Sequence, residues 1–429
     1  MRRYHRRFPK RLLHAAIIDV AYVSPGHTLF SVVDCHTYRL QKNDILTQNH
    51  YIILVLYMLS FSSNGLRRKG NMKKRLRIGI IGCGGIANGK HMPSLKALNR
   101  VDLVAFCDII REKAEKAAAD YGTPDAKVYT DYKEMLNDAS IDVVHVCTPN
   151  RSHADITIDS LHAGKHVMCE KPMAKTAADA RRMVEAAKET GKKLTIGYQH
   201  RHKAESNYLK SVIERGDLGD IYYAKAFAIR RRGTPNWGVF LNEYEQGGGP
   251  LIDIGTHSLD LTLYLMNNYK VRMVVGTKYK KVEDPSCGNP WGPCDHTMED
   301  SAFGFIVMEN GATVTLEATW ALNTIEPIQE GSLQLCGSKA GAQIKNGISI
   351  NKGEFGRLVE IKPDVSAGGV AFYEGVKETP PITEARRWID AIENDTDPVV
   401  MPEQACVVSE ILEAIYTSAR TGEPVYFNK

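Results

Sequence analysis

Asp253 and His257 stand four residues apart, directly after the run Gly247-Gly248-Gly249-Pro250. On a helix opening near Leu251 that spacing puts a carboxylate and an imidazole on one face, a proton acceptor beside a group that can orient it. The glycines are expected to leave room for a ligand to approach the backbone. The same pattern also describes a glycine turn into an ordinary helix with a packed histidine, so the rest of the chain has to decide. A second reactive group is Lys171, in Cys169-Glu170-Lys171-Pro172-Met173. An ammonium at the mouth of a sheet polarises a hydroxyl or carbonyl, although Lys171 also reads as a loop lysine held by Glu170.

The elements that must position these groups are an alternation of short apolar strands and helices. Ile78 to Ile81 run into Gly82-Cys83-Gly84-Gly85-Ile86-Ala87, a Gly-x-Gly-x-x-Ala turn before a helix expected near Gly89–Leu98. A second strand, Val101 to Cys107, ends in Asp108. Strand, glycine turn, helix and acidic strand end together make a dinucleotide site: the glycines let a pyrophosphate reach the helix N-terminus, and the carboxylate holds the ribose hydroxyls. Asp108 favours NAD over NADP, because a carboxylate repels a 2′-phosphate, and Arg111 blunts that preference. Strands follow near Lys127–Tyr129, Val143–Cys147 and His166–Cys169, with helices near Arg111–Tyr121, Tyr132–Asn137 and Ala154–Ala163. This order predicts a doubly wound parallel sheet. Thr148, Pro149, Asn150 and His153 fall at its carboxyl edge, where ligands bind.

Beyond a sixth strand near Ile196–Tyr198 the pattern changes. After a helix near Ala204–Arg215, strand-like runs at Tyr222–Arg230, Arg272–Lys278, Ser301–Met308, Thr313–Trp320 and Ser332–Cys336 follow with few helices between them, which predicts a mainly antiparallel sheet. Helices are expected at Thr383–Glu393 and Pro402–Arg420, and a last strand at Pro424–Phe427. Tyr198, His200 and Arg201 at the junction, and Trp237 and Trp291 in two long loops, are candidate substrate contacts, since indole faces stack on sugar rings and polar side chains bond hydroxyls. The loop tryptophans also read as buried anchors.

In this order, the dinucleotide turn, the Thr-Pro-Asn edge, the Glu-Lys-Pro turn and the Gly-Gly-Gly-x-x-x-Asp-x-x-x-His segment resemble the Gfo/Idh/MocA family of glucose–fructose oxidoreductase, inositol dehydrogenase and rhizopine-catabolism proteins, from about Arg75 onward. The resemblance implies an α/β plus α+β protein: a Rossmann doubly wound domain over 72–195 and a substrate and oligomerisation domain, built on a large, mainly antiparallel open sheet, over 196–429. It implies Lys171, Asp253 and His257 as the catalytic set. It places Gly82, Gly84, Gly85, Ile86, Ala87, Asp108, Arg111, Thr148, Pro149, Asn150, His153, Glu170 and Lys171 around NAD, with NADP also possible, and calls for no metal. The implied reaction is hydride transfer between the cofactor and a secondary alcohol of a sugar, glycoside or cyclic polyol, with a homodimer or homotetramer formed through the second sheet. Two alternatives remain open: an NAD-dependent eliminating glycosidase working through a 3-keto intermediate, and a non-catalytic cofactor-binding sensor.

Composition excludes other classes. The chain has 429 residues and a net charge of +5, but residues 1–71 carry +8 of it, leaving −3 on the rest. Nothing there favours nucleic acid. The nine cysteines include no Cys-x-x-Cys pair, so neither a disulfide framework nor a zinc motif is indicated, and a reducing bacterial cytoplasm fits. The apolar run from Tyr51 to Phe61 is about half the ~20 residues of a spanning helix, so no membrane association is expected. Residues 1–71 are foreign to the family pattern, and Arg67-Arg68-Lys69-Gly70-Asn71 before Met72 reads as a translated ribosome-binding site, which suggests an over-extended gene start.

Overall fold

The computed structural model describes residues 74–282, 298–365 and 378–427. The expected N-terminal extension and Trp291 lie outside the described residues. Strands β1 (Leu76–Ile81), β2 (Val101–Cys107), β3 (Lys127–Tyr129), β4 (Val143–Val146), β5 (His166–Cys169) and β6 (Leu194–Ile196) form one sheet in the order β3-β2-β1-β4-β5-β6. Every neighbouring pair is parallel. Ile78 and Ile80 are completely buried, since helices cover both faces of such a sheet and its central strand reads as one apolar run. The order reverses between β1 and β4, and the glycine turn follows β1 at this switch point, where α/β sheets bind ligands.

The helix after the glycine turn opens as a π-turn, Ala87–His91, before its α-helical part, Met92–Ala97. A further helix, Ala177–Thr190, joins β5 to β6. Thr176 caps it by accepting from the Asp179 N–H, and Gly191 ends it in the left-handed conformation. The division expected between residues 195 and 196 cuts β6, which pairs with β5 and so belongs to the first sheet.

The second sheet has nine strands: β7 (Ile221–Ile229), β8 (Val271–Tyr279), β9 (Ser301–Met308), β10 (Thr313–Thr319), β11 (Ile328–Gly337), β12 (Ala340–Ile344), β13 (Ile348–Glu354), β14 (Arg357–Ile361) and β15 (Val425–Tyr426). Their order is β14-β13-β12-β11-β7-β10-β9-β8-β15. All neighbours are antiparallel except β7 with β10. Ala224, Ala226 and Ala228 of β7 are buried against the helix Thr256–Met266. That helix buries Leu259, Leu261, Leu263 and Leu265 completely, together with the polar His257, Ser258, Asp260 and Thr262, so nearly every side of it is enclosed in the core. The chain then returns: Pro380–Glu393 packs beside the first domain's Met92–Ala97, and Pro402–Thr421 lies against β8 and Ala177–Thr190. Among the described residues no helix is long and apolar enough to cross a membrane. All described cysteines are free. Burial pushes the thiols of Cys83, Cys107 and Cys406 up to about 12, which leaves them unreactive.

Candidate active site

At the switch point the glycines divide by what surrounds them. Gly82 adopts φ +89, and a Cβ there would collide with the backbone of Cys147 and Thr148. At Gly84 and Gly85 an added Cβ would meet nothing within 4 Å. The protein's own packing does not require glycine at these two positions; a ligand lying close on the backbone does. Asp108 closes the site by accepting from the N–H groups of Cys83 (2.8 Å) and Ile110 (2.9 Å). Ile86, Ile109 and Ile110 lie exposed around it, an apolar border for a planar base. The Thr148 hydroxyl, at the carboxyl edge of β4, is buried without a partner. Open glycines, an acidic strand end and an orphaned hydroxyl fit a dinucleotide.

Arg111 is exposed beside this turn and paired with Glu115 one turn along its helix at 2.8 Å. One neighbouring expectation is corrected. His153 is buried with its ring nitrogens 2.8 Å from the carbonyl oxygens of Thr148 and Pro172, so it ties two edge loops together and has no nitrogen left for a cofactor. Asn150 donates to the Gln246 carbonyl at 3.0 Å, which links that edge to the glycine run.

That run is not an opening for a ligand, contrary to expectation. Gly247 is a left-handed cap with φ +85, Gly248 lies against the Tyr416 ring, and Gly249 lies against Glu299. The Gly249 N–H and the Tyr416 hydroxyl both donate to Glu299 Oε1, at 2.9 and 2.6 Å. Close packing of the C-terminal helix therefore explains the glycines. They feed a π-turn, Leu251–Gly255, in which the Thr256 N–H reaches Leu251 O, before the regular helix Thr256–Met266. A regular helix from Leu251 was expected; the wider turn replaces it, as π-turns often do at functional sites.

The consequence falls on Asp253. Its carboxylate accepts from Lys171 Nζ at 3.1 Å and from Trp320 Nε1 at 2.9 Å, and Lys171 also donates to its carbonyl oxygen at 2.8 Å. Asp253 thus orients the lysine; the expected bond from Asp253 to His257 is not made. His257 is buried beside Lys171, with rings of Tyr198 and His200 set edge-on at centroid distances of 6.3 and 4.9 Å. Burial, the Lys171 ammonium and His200 hold its imidazole well below the ordinary histidine range, so the ring is neutral.

Glu170 anchors the other side of Lys171. Its Oε2 accepts the Lys171 N–H at 3.0 Å, and its Oε1 accepts from Lys90 Nζ and meets His91 Nε2, both at 2.7 Å. Lys90 Nζ also reaches Glu384, on the returning helix, at 2.9 Å. Burial alone would raise the Glu170 carboxyl, but Lys90 and His91 hold it well below its usual range. The sequence carried no sign of Lys90, Glu384 or Trp320, because each is brought in from a distant segment with no motif of its own.

The substrate candidates sort differently. His200 lies beside His257, while the Tyr198 hydroxyl is committed to Thr256 Oγ1 at 2.9 Å. Arg201 is corrected outright: it is 0% exposed, doubly bonded to Asp260 at 2.9 and 2.6 Å, and bonded to Gln404. It is a buried structural ion pair with no surface for a substrate. Trp237 is 54% exposed, its ring set edge-on to Phe240.

Two family models account for nearly all of the described chain: an oxidoreductase family NAD-binding Rossmann fold over residues 76–198 and the same family's C-terminal alpha/beta domain over 210–427. The chain belongs to the Gfo/Idh/MocA oxidoreductase family. Family membership makes it an NAD-binding oxidoreductase of the sugar and polyol dehydrogenase group. It is 36% identical to D-glucoside 3-dehydrogenase of Escherichia coli K12 over 358 residues, 82% of this chain and 97% of that one. Inositol 2-dehydrogenase of Salmonella paratyphi B is 37% identical over 145 residues, 34% of this chain and 43% of that one. Among solved structures, the aldose-aldose oxidoreductase of Caulobacter crescentus superposes with a TM-score of 0.68 at 26% identity, covering 82% of this chain and 100% of the other.

Proposed function

We propose that this family member is an NAD-dependent dehydrogenase that oxidises a ring secondary alcohol of a glucoside or related sugar, with position 3 as the reacting carbon. The observation that carries the reading is the meeting of Lys171, Asp253 and His257 beside the carboxyl edge of the parallel sheet. The likeness to D-glucoside 3-dehydrogenase, which spans 97% of that enzyme, supports the substrate class. NAD bound at the glycine turn supplies the hydride acceptor. Asp253 and Glu170 hold Lys171 so that its ammonium donates to the substrate oxygen and stabilises the charge that develops there. His257, kept neutral, takes the hydroxyl proton. Trp320 fixes the Asp253 carboxylate and so the direction of the lysine. Asp108 favours NAD over NADP.

The test is absorbance at 340 nm with NAD and with NADP over glucosides, free sugars and inositols, including 3-deoxyglucosides. NADH formation from glucosides that is lost with the 3-deoxy analogues is the expected result. Release of the aglycone without net NADH would overturn it in favour of an eliminating glycosidase. A second copy docked on the outer face of the nine-stranded sheet, where Tyr223, Phe227, Phe303 and Phe305 alternate with the buried face, is the proposed route to a dimer or tetramer. Light scattering on wild type and Phe305→Lys checks it.

A further inference from the structure

His257 lacks the partner that a proton-accepting histidine ordinarily has. Its Nδ1 is sealed from solvent without a hydrogen bond, because Asp253 is held by Lys171 and Trp320. Both ring nitrogens of the neighbouring His200 are buried and unpartnered as well. Glu330 completes the group: one nitrogen from each ring and one of its carboxylate oxygens all lie within 4.8 Å of one another. The residue that brings Glu330 here is Gly331, at φ +74 in an irregular stretch of β11 between Ile328 and Ser332. Any side chain at Gly331 would overlap the His200 ring, and its N–H donates to Ser258 Oγ, next to His257, at 2.9 Å. Irregularities of this kind re-aim side chains beside active sites.

Buried imidazole nitrogens are nearly always hydrogen-bonded, so three orphans in one place call for an occupant. Atoms within 4.8 Å of one another leave a centre at most about 2.8 Å from each, within the reach of a hydrogen bond. Charge points the same way. Lys203, Lys171 and Lys90 add to burial in pushing His200 down to about 3, and Arg230 pairs with Glu330 at 3.1 Å. These cations oppose a metal dication and tolerate a water molecule.

We propose that a water held by His257, His200 and Glu330 is the outlet for the proton that His257 takes from the substrate, with the Glu330 carboxylate as its terminus; this rests on His257 being the base. As the carbinol hydride passes to NAD, the substrate O–H bond breaks, its electron pair goes into the new carbonyl, and the proton bonds to His257 Nε2. The imidazolium formed lies buried beside Lys171, with His200 and Lys90 also unfavourable and Glu170 favourable. Its Nδ1–H then passes a proton to the water, which passes one to Glu330. After the ketone leaves, Nε2 gives its proton to solvent and Nδ1 is reprotonated from Glu330 through the same water, so one proton is released per turnover. Glu330 is a positioning and proton-holding residue and does not touch substrate.

The experiment is the kcat–pH profile of Glu330→Gln, Glu330→Asp and Glu330→Ala, with NADH titration and thermal melting to check cofactor binding and folding. The expected result is a 10- to 100-fold loss of kcat in Glu330→Gln with unchanged NADH affinity, partial retention in Glu330→Asp, and recovery of Glu330→Ala by added formate. Without the relay, kcat should also keep rising with pH where the wild type levels off. A Glu330→Gln enzyme within twofold of wild type overturns the proposal. So does an equal loss at every pH with no rescue by formate, or a stoichiometric divalent metal whose removal abolishes activity. Near wild-type turnover in His257→Ala overturns the base assignment itself, and the relay with it.

Discussion

Replacing Lys90 with methionine tests the buried charge cluster behind Lys171. The Lys90 ammonium is 2.7 Å from Glu170 and 2.9 Å from Glu384, and the three side chains are 7, 7 and 4% exposed. This is the regime in which removing one partner strands buried charge, at a cost of about 3–5 kcal/mol. The methionine keeps the apolar stem, so the loss reports the ammonium. At about 2–4 °C per kcal/mol, melting should fall by roughly 6–20 °C at pH 7. The pH dependence has a defined sign. In the wild type Glu170 is held low, so its contribution is present above the unfolded carboxyl pKa of ~4.3 and is lost below it. Glu384 is already raised, by burial. Without Lys90 both carboxyls rise above the unfolded value, the folded state binds more protons, and the variant regains stability as pH falls through the raised values. The gap between variant and wild type should therefore narrow from pH 8 to pH 5, as followed by calorimetry or urea unfolding. A loss under about 1 kcal/mol, or a gap constant over that range, would refute the reasoning.

Lys171→Ala and His257→Ala should each lower kcat by about two to four orders of magnitude, with NADH affinity nearly unchanged in His257→Ala; steady-state kinetics and NADH fluorescence measure both. Asp253→Asn should cost less than the loss of His257, because it weakens the hold on Lys171 without removing the proton acceptor, and full activity in that variant would remove Asp253 from the mechanism. Trp320→Phe deletes the N–H that Asp253 accepts and should lower kcat about tenfold, equivalent to ~1.4 kcal/mol, while leaving the KM for NAD alone. Asp108→Ser should raise the efficiency with NADP relative to NAD, read as the ratio of kcat/KM values, and a wild type that already prefers NADP would overturn the role given to Asp108.

Much of the architecture was legible because it is written in local pattern. Apolar runs of strand length ending in Gly82 and Asp108, separated by helical stretches, specify parallel strands with covered faces, and the motif order placed Lys171, Asp253 and His257 in one site before any contact was known. Three strands escaped: β12 and β13 are short, carry a glycine each and bury only small residues or the pair Ile348 and Ile350, and Arg357–Ile361 is exposed on both sides.

Chain order and residue type by themselves determined the cofactor turn and the change from a parallel to a mainly antiparallel sheet, and singled out Lys171, Asp253 and His257 as candidates, because strand burial, glycine turns and an acidic strand end act over a few neighbouring residues. Tertiary structure alone decided which group serves which. Asp253 turned to Lys171 and Trp320 because a π-turn replaced the regular helix and the end of β10 presents Trp320, the next residue, from 67 residues away. Arg201 became a buried partner of Asp260, Glu330 reached His200 through an irregular strand, and Lys90 met Glu384 across the two domains. Each pairing joins segments far apart in the chain, and its energy comes from burial of charge and hydrogen-bonding groups that exist together only after the sheets and helices have packed.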